Sequence, residues 1–403
     1  MRNYLIVTFA YWVFTLTDGA LRMLVLLHLH EQGYTALTLA GLFLLYEFCG
    51  VMTNFTAGWV GARFGLKSTL WSGLSLQILA TSVLAWQADA LTVALVVAMQ
   101  GLSGIAKDLT KMSAKSYVRL LAPKDEQLLH WVALLTGSKN TLKGAGFFLG
   151  GLLLATLGFR DANLAMAAAL ALALVVSLAF LPRAMGKRKE APRWRELWQA
   201  EPRIRRLSWA RLFLFGSRDA WFAIGLPVFL VESLEWSQAS VGAFLALWVV
   251  GYGFVQASAP KLLGLARRAD ARALVGWTGI LLAPVLGLAA LLHLAVDPGW
   301  TAPALIAGLG LFGVLFAGNS SLHSYLILRY SESEDVAMRV GFYYMANATG
   351  RLFGTLVSGL AYQLAGGGAA GLAACLFGSA VFLVLSTWGA QRLLRLESAT
   401  ARA

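Results

Sequence analysis

Lys139 and Lys143 stand four residues apart in an otherwise apolar stretch, so both project from one face of the helix that carries them. Two ammoniums stacked in this way repel each other unless an anion lies between or beside them. The pair is therefore a candidate for holding one oxyanion group; the alternative is a structural network with Glu47 or Asp18. Arg218 or Arg351 suits a second anionic end, because a guanidinium meets a phosphate-like group through two parallel N–H bonds. Arg22 follows Asp18 by four residues, placed either to pair with it along the helix or to meet a ligand. Arg218 and Asp219 are adjacent and diverge by about 100° on a helix, so one of them is expected to look elsewhere. Lys107, Lys111 and Lys115 step by four down one face, as an electrostatic funnel or as side chains snorkelling to a lipid interface, and Asp108 is placed to pair with Lys111.

These positions belong to a set of twelve ionisable residues inside long apolar runs: Arg22, Lys107, Lys111, Lys139, Lys143, Arg211, Arg218 and Arg351 against Asp18, Glu47, Asp108 and Asp219. A charge at the centre of a membrane helix costs roughly 2.5 to 3.5 kcal/mol on insertion scales, so such residues line a water-filled cavity or a ligand site. Their positive surplus points to an anion with several negative charges. The short loops carry no cluster of acids, histidines or cysteines with catalytic spacing, so neither an enzyme activity nor a metal or cofactor is expected. His28 and His30 are two apart and face different ways on a helix. His323 and Asn319 are placed either to contact a ligand or to form a satisfied polar pair between helices.

The elements that must hold these residues follow from composition. With 58% hydrophobic and 13% charged residues, the chain lies outside the range of soluble globular proteins. Apolar runs of about 20 residues recur, each able to cross a bilayer core about 30 Å thick. They predict an all-α polytopic membrane protein with twelve transmembrane helices. Six fall between Tyr4 and Leu181, including Leu39 to Gly61, Leu128 to Leu157 and Asn163 to Leu181; six fall between Trp209 and Ala390. The first span lacks a small-residue cleavage site and is expected to remain in the mature protein. The predicted organisation is a six-helix half over 1–182, a basic linker over 183–206, and a second six-helix half over 207–403. Trp194, Leu197 and Trp198 recur at helical spacing in the linker and predict a basic amphipathic helix lying on a membrane surface.

Outside the spans, every Lys and Arg except Arg160 falls on one side, and positive charge accumulates on the cytoplasmic face. Both termini are therefore predicted to be cytoplasmic. The formal net charge of +13 reads as a topology signal and an affinity for anionic lipid, with no nucleic-acid partner. Cys49 and Cys375 fall within spans and are expected to be unpaired packing residues. Gly146 with Gly150, and Gly350 with Gly354, have the spacing that lets membrane helices approach closely.

The halves echo each other. Thr17-Asp18-Gly19-Ala20 has a counterpart in Arg218-Asp219-Ala220, and Asn140 followed by Lys143 in Asn347 followed by Arg351. Between spans two and three, the run from Gly58 to Lys67, with Gly58, Arg63, Gly65 and Lys67 at its glycine and basic positions, resembles the loop signature of the major facilitator superfamily. Its acid, which in that family helps latch one conformational state, is replaced here by Ala62. The resemblance implies two six-helix halves related by an axis along the membrane normal, a central site and alternating access. It also implies that spans three, six, nine and twelve are peripheral, and none of the twelve charges falls in those.

Leu16-Thr17-Asp18-Gly19-Ala20-Leu21-Arg22-Met23, Gly104-Ile105-Ala106-Lys107-Asp108-Leu109, Gly137-Ser138-Lys139-Asn140 and Tyr46-Glu47-Phe48 are similar to stretches of the organoarsenical efflux permeases of that superfamily, the ArsJ family. That resemblance implies export of 1-arseno-3-phosphoglycerate across a bacterial inner membrane, by a monomer functionally linked to a glyceraldehyde-3-phosphate dehydrogenase. On this reading Arg22, Lys107, Lys139, Lys143, Arg218 and Arg351 bind substrate, whereas Asp18, Glu47, Asp108 and Asp219 serve proton coupling or charge pairing. A general organophosphate or organic-anion carrier would use the same cations. A polytopic membrane enzyme is the alternative from another class.

Overall fold

The structure is a computed structural model and describes residues 2–32, 44–122, 124–181, 200–262, 269–294, 298–331 and 335–400. The linker expected over 183–206 and the expected start of the second span fall largely outside these residues. In chain order the helices are α1 (Arg2–Glu31), α2 (Leu44–Phe64), α3 (Leu66–Trp86), α4 (Val93–Leu121) and α5 (Asp125–Phe180), then α6 (Pro202–Phe222), α7 (Gly225–Glu232), α8 (Gln238–Leu262), α9 (Ala271–Ile280), α10 (Leu282–His293), α11 (Pro298–Arg329), α12 (Val336–Leu364) and α13 (Gly368–Thr400). They make twelve crossings. The 56-residue α5 supplies two, turning at Gly158, whose φ of 74° is open to glycine at little cost. In turn α6 with α7, and α9 with α10, each make one crossing in two pieces.

Nine described helical segments are long and apolar enough to cross a membrane, among them α5 and the pairs α6–α7 and α9–α10. The outer faces carry large apolar side chains such as Phe148, Leu172, Phe254 and Val381, as a lipid-facing surface requires. The break between α6 and α7 frees backbone N–H groups within the bilayer. Ser358 Oγ accepts two of them, from Ile224 at 3.3 Å and Gly225 at 3.0 Å. Cys49 and Cys375 are free thiols.

The chain forms two compact units. The first comprises residues 1–200 with 331–345, the second 201–330 with 346–403. In the first, α1 packs along α5 and α3 along α4, around Leu21, Leu24, Val25, Phe159 and Met166. In the second, α6 packs on α13 and α8 on α11, around Trp221, Tyr252, Phe312 and Phe316.

In each unit a glycine seam closes a matching helix pair. A Cβ at Gly146 would lie 2.5 Å from the Leu16 carbonyl oxygen, so α5 meets α1 backbone to backbone. In the second unit a Cβ at Gly354 would lie 2.5 Å from the Gly216 carbonyl oxygen, joining α12 to α6 in the same way. The two Gly-x-x-x-Gly pairs set the register of the repeat. In that register Lys143 corresponds to Asn347 and not, as the sequence echo suggested, to Arg351.

Candidate functional site

In the first unit the site is built on Tyr46. The glycine seam brings the Lys143 turn of α5 against α1, since a Cβ at Gly19 would stand 2.7 Å from the Lys143 carbonyl oxygen. From α2 the Tyr46 hydroxyl donates to Asp18 Oδ1 on α1 at 2.8 Å. The same ring carries two cations, with the Arg22 guanidinium 3.6 Å and the Lys107 ammonium 3.8 Å from its centroid. Such contacts contribute about 0.5 to 2 kcal/mol each as water is removed. One aromatic side chain thus places an acid and two bases.

Asp108 of α4 is bonded to Lys111, the expected pair, and its other oxygen lies 3.8 Å from Lys107 Nζ. Lys111 also sits 4.8 Å from the centre of the Tyr344 ring. Room for this cluster comes from α2, where a Cβ at Gly50 would stand 2.6 Å from Asp108 Oδ2. Lys143, half-buried on α5, feels the charges of Arg22, Asp18, Lys139 and Lys107. Among the described residues its ammonium has no ion pair or hydrogen bond. Arg22, Lys107, Lys111, Lys139 and Lys143 are therefore set against two described carboxylates, Asp18 and Asp108. Glu47 lies on α2, but its side chain falls outside the described residues.

In the second unit Asp219 is shared. Arg218 reaches Oδ1 with Nε at 2.6 Å and Nη2 at 2.5 Å, and Arg351 donates from Nε to Oδ2 at 3.0 Å. The expectation that Arg218 and Asp219 point apart is corrected here. Their Cβ atoms diverge, but the long arginine side chain curls back around the helix to its neighbour. Arg211 was counted among the membrane charges without a role. It is 3% exposed, donates to Asn347 Oδ1 at 2.9 Å and Ser320 Oγ at 3.2 Å, and lies 3.8 Å from the Phe215 ring centre.

The loop signature divides its work. Gly58 packs on α12, where its Cβ would meet the Ala337 carbonyl oxygen at 2.7 Å. Gly65 breaks α2 from α3 with a φ of 91°. Arg63 is exposed, 5.0 Å from the Trp59 ring centre. Lys67 is buried and donates to the carbonyls of Leu178, at 3.2 Å, and Leu181, the end of α5. It serves as a cationic cap on the negative end of that helix.

Tyr46 was legible only as part of a resembling tripeptide. A tyrosine on the same cavity-facing helix as Glu47, in a chain crowded with cations, is the signal that marks it. Arg211 and Asn347 carried a weaker signal, as polar residues inside apolar runs.

Twelve helical crossings that hold opposed charges on several helices define a membrane transporter. The chain belongs to the Major Facilitator Superfamily, whose sequence profile matches residues 7–326. Its fold is similar to that of the human organic anion transporter MFSD10 (TETRAN), with 18% identity, a TM-score of 0.74, and 96% of this chain and 98% of that chain covered. A bacterial homologue of the iron transporter ferroportin in an outward-facing state gives 14% identity and a TM-score of 0.75, over 97% and 99% of the two chains. FucP, a Major Facilitator Superfamily transporter in the outward conformation, gives 14% and 0.75, over 96% and 99%. At these identities the likeness is one of fold. No curated protein matches by sequence. The protein is a multi-pass membrane transporter, not an enzyme.

Proposed function

We propose that the protein exports a small organic oxyanion by alternating access, that this anion is 1-arseno-3-phosphoglycerate, and that its export confers arsenate resistance. The observation that carries the anion reading is Lys143, a cation in a membrane segment with no hydrogen bond or ion pair among the described residues, close to Arg22, Lys107 and Lys139. An oxyanion supplies an acceptor for this ammonium. The arsenical is supported by the stretches around Asp18, Lys107 and Lys139 that are similar to organoarsenical permeases. In the second unit, Arg218 and Arg351 share the single carboxylate of Asp219. The protein acts in a bacterial inner membrane as a monomer with both termini cytoplasmic, alongside a glyceraldehyde-3-phosphate dehydrogenase that makes the arseno-ester.

The test is uptake of the anion into everted membrane vesicles. Lys143→Ala and Lys139→Ala are each expected to abolish it while the protein stays folded in the membrane, and Lys143→Arg to restore it only in part. Parental rates in both alanine variants would reject the site.

A further inference from the structure

Where α6 begins and α13 ends, the second unit presents a face that the proposed substrate residues do not use. The two helices run antiparallel in a register fixed by three contacts. A Cβ at Gly216 would stand 3.0 Å from Phe382 Cδ2, Ser386 Oγ donates to the Ala210 carbonyl at 2.8 Å, and a Cβ at Gly389 would stand 2.8 Å from Trp209 Cδ1. Continued by one turn, this register brings Arg205 of α6 level with Arg392 of α13.

The face changes character along its length. Phe382, Phe213, Trp209 and Trp388 form a chain of rings, with successive centroids 5.7, 4.9 and 6.2 Å apart. Trp209 and Trp388 are 43% and 44% exposed. Tryptophan gathers where hydrocarbon gives way to headgroups, so the pair marks that depth. One turn further out stand the cations. The Arg392 guanidinium lies 4.3 Å over the Trp388 ring, Arg205 precedes Trp209 by four residues on the same side of α6, and Arg395 extends the row on α13. Arg205, Arg392 and Arg395 are exposed and have no ion pair among the described residues. Glu397, the acid nearest to them along α13, is taken up by the Tyr330 hydroxyl, which donates to it.

Two guanidiniums at one level with no carboxylate between them favour an anion there, and their forked donors match a phosphate group. A free phosphate ion would leave the rings beneath uncovered, whereas acyl chains cover them. A zwitterionic lipid brings its own ammonium, which the arginines oppose; a lipid of net negative charge does not. We propose that the seam between α6 and α13 is a binding site for an anionic phospholipid, with its phosphodiester between Arg205 and Arg392 and its acyl chains along Trp209, Trp388 and Phe213. Basic pockets between membrane helices take anionic headgroups in this way. The site is independent of what the protein transports, and on the proposed topology it faces the cytoplasmic leaflet.

The test is native mass spectrometry of the full-length protein, titrated with phosphatidylglycerol or with phosphatidylcholine of the same acyl chains. The parent should bind phosphatidylglycerol at least about fivefold more tightly. Arg392→Gln should weaken phosphatidylglycerol about fivefold and phosphatidylcholine by less than about twofold, with the thermal midpoint of the lipid-free protein unchanged. Arg63→Gln, which removes the same charge from the first unit, should leave both affinities within about twofold of the parent's. A parent that binds the two lipids equally, or an Arg392→Gln variant that keeps the parental preference, overturns the site. An equal loss in Arg63→Gln overturns it as well, by reducing the effect to general charge attraction. So does displacement of phosphatidylglycerol by inorganic phosphate, which would mark an anion site that needs no lipid. Should Arg392→Gln fail to fold, Arg205→Gln decides on the same ratio of affinities.

Discussion

At the scale of single residues, the two units treat their cations differently. Asp219 holds two arginines, so removing its charge leaves both without their shared counterion, and breaking a buried ion pair costs about 3 to 5 kcal/mol. Arg351 is 35% exposed and recovers part of that loss from water. Asp219→Asn is therefore expected to lose about 3 kcal/mol of stability, visible as a lowered thermal midpoint of the purified protein, with Asp219→Glu recovering part of it. A midpoint within experimental error of the parent would show that the shared carboxylate does not matter to folding. Lys143→Ala should behave in the opposite manner, losing transport without losing stability, because no bond is broken when its ammonium is removed.

At the scale of elements, the glycines separate two kinds of constraint. Gly158 has a φ of 74° with a ψ of 176° and nothing near its would-be Cβ, so Gly158→Ala meets only backbone strain, about 1 to 3 kcal/mol. Gly146 faces the α1 backbone, and Gly146→Leu must push two helices apart. We expect the first variant to fold and transport, and the second to lose the folded species in size-exclusion chromatography; similar yields of both would refute the close approach. Much of this level was legible in the sequence. Run lengths gave the twelve crossings, and the glycine spacings gave the seams. The breaks at 223–224 and at Leu281 were not legible, because an apolar run looks alike whether its helix is continuous or interrupted and re-satisfied by a distant serine such as Ser358. The partners of the cations other than Lys111, whose pairing with Asp108 follows from their spacing, were hidden for a related reason. Tyr46 and Asp18 lie 28 residues apart, and helical periodicity says nothing about which faces of different helices meet.

At the scale of the whole molecule, orientation and energetics decide direction. An inside-negative potential favours anion efflux by about 2.3 kcal/mol per charge per 100 mV. Export of a polyanion therefore needs no further driving force. Cells expressing the protein should gain arsenate resistance only when the dehydrogenase that makes the arseno-ester is active; resistance without that dehydrogenase would contradict the substrate assignment. Orientation has its own check. In a background with Cys49 and Cys375 replaced, Arg160→Cys should react with a membrane-impermeant maleimide added outside intact cells, and Arg63→Cys should not. Both side chains are exposed, so reversed labelling would invert the topology.

Tyr46 touches Asp18, Arg22 and Lys107 with a single side chain. A substitution there changes three contacts in one mutational step, so on the anion reading proposed above a change of this residue would shift substrate preference abruptly and not through graded intermediates.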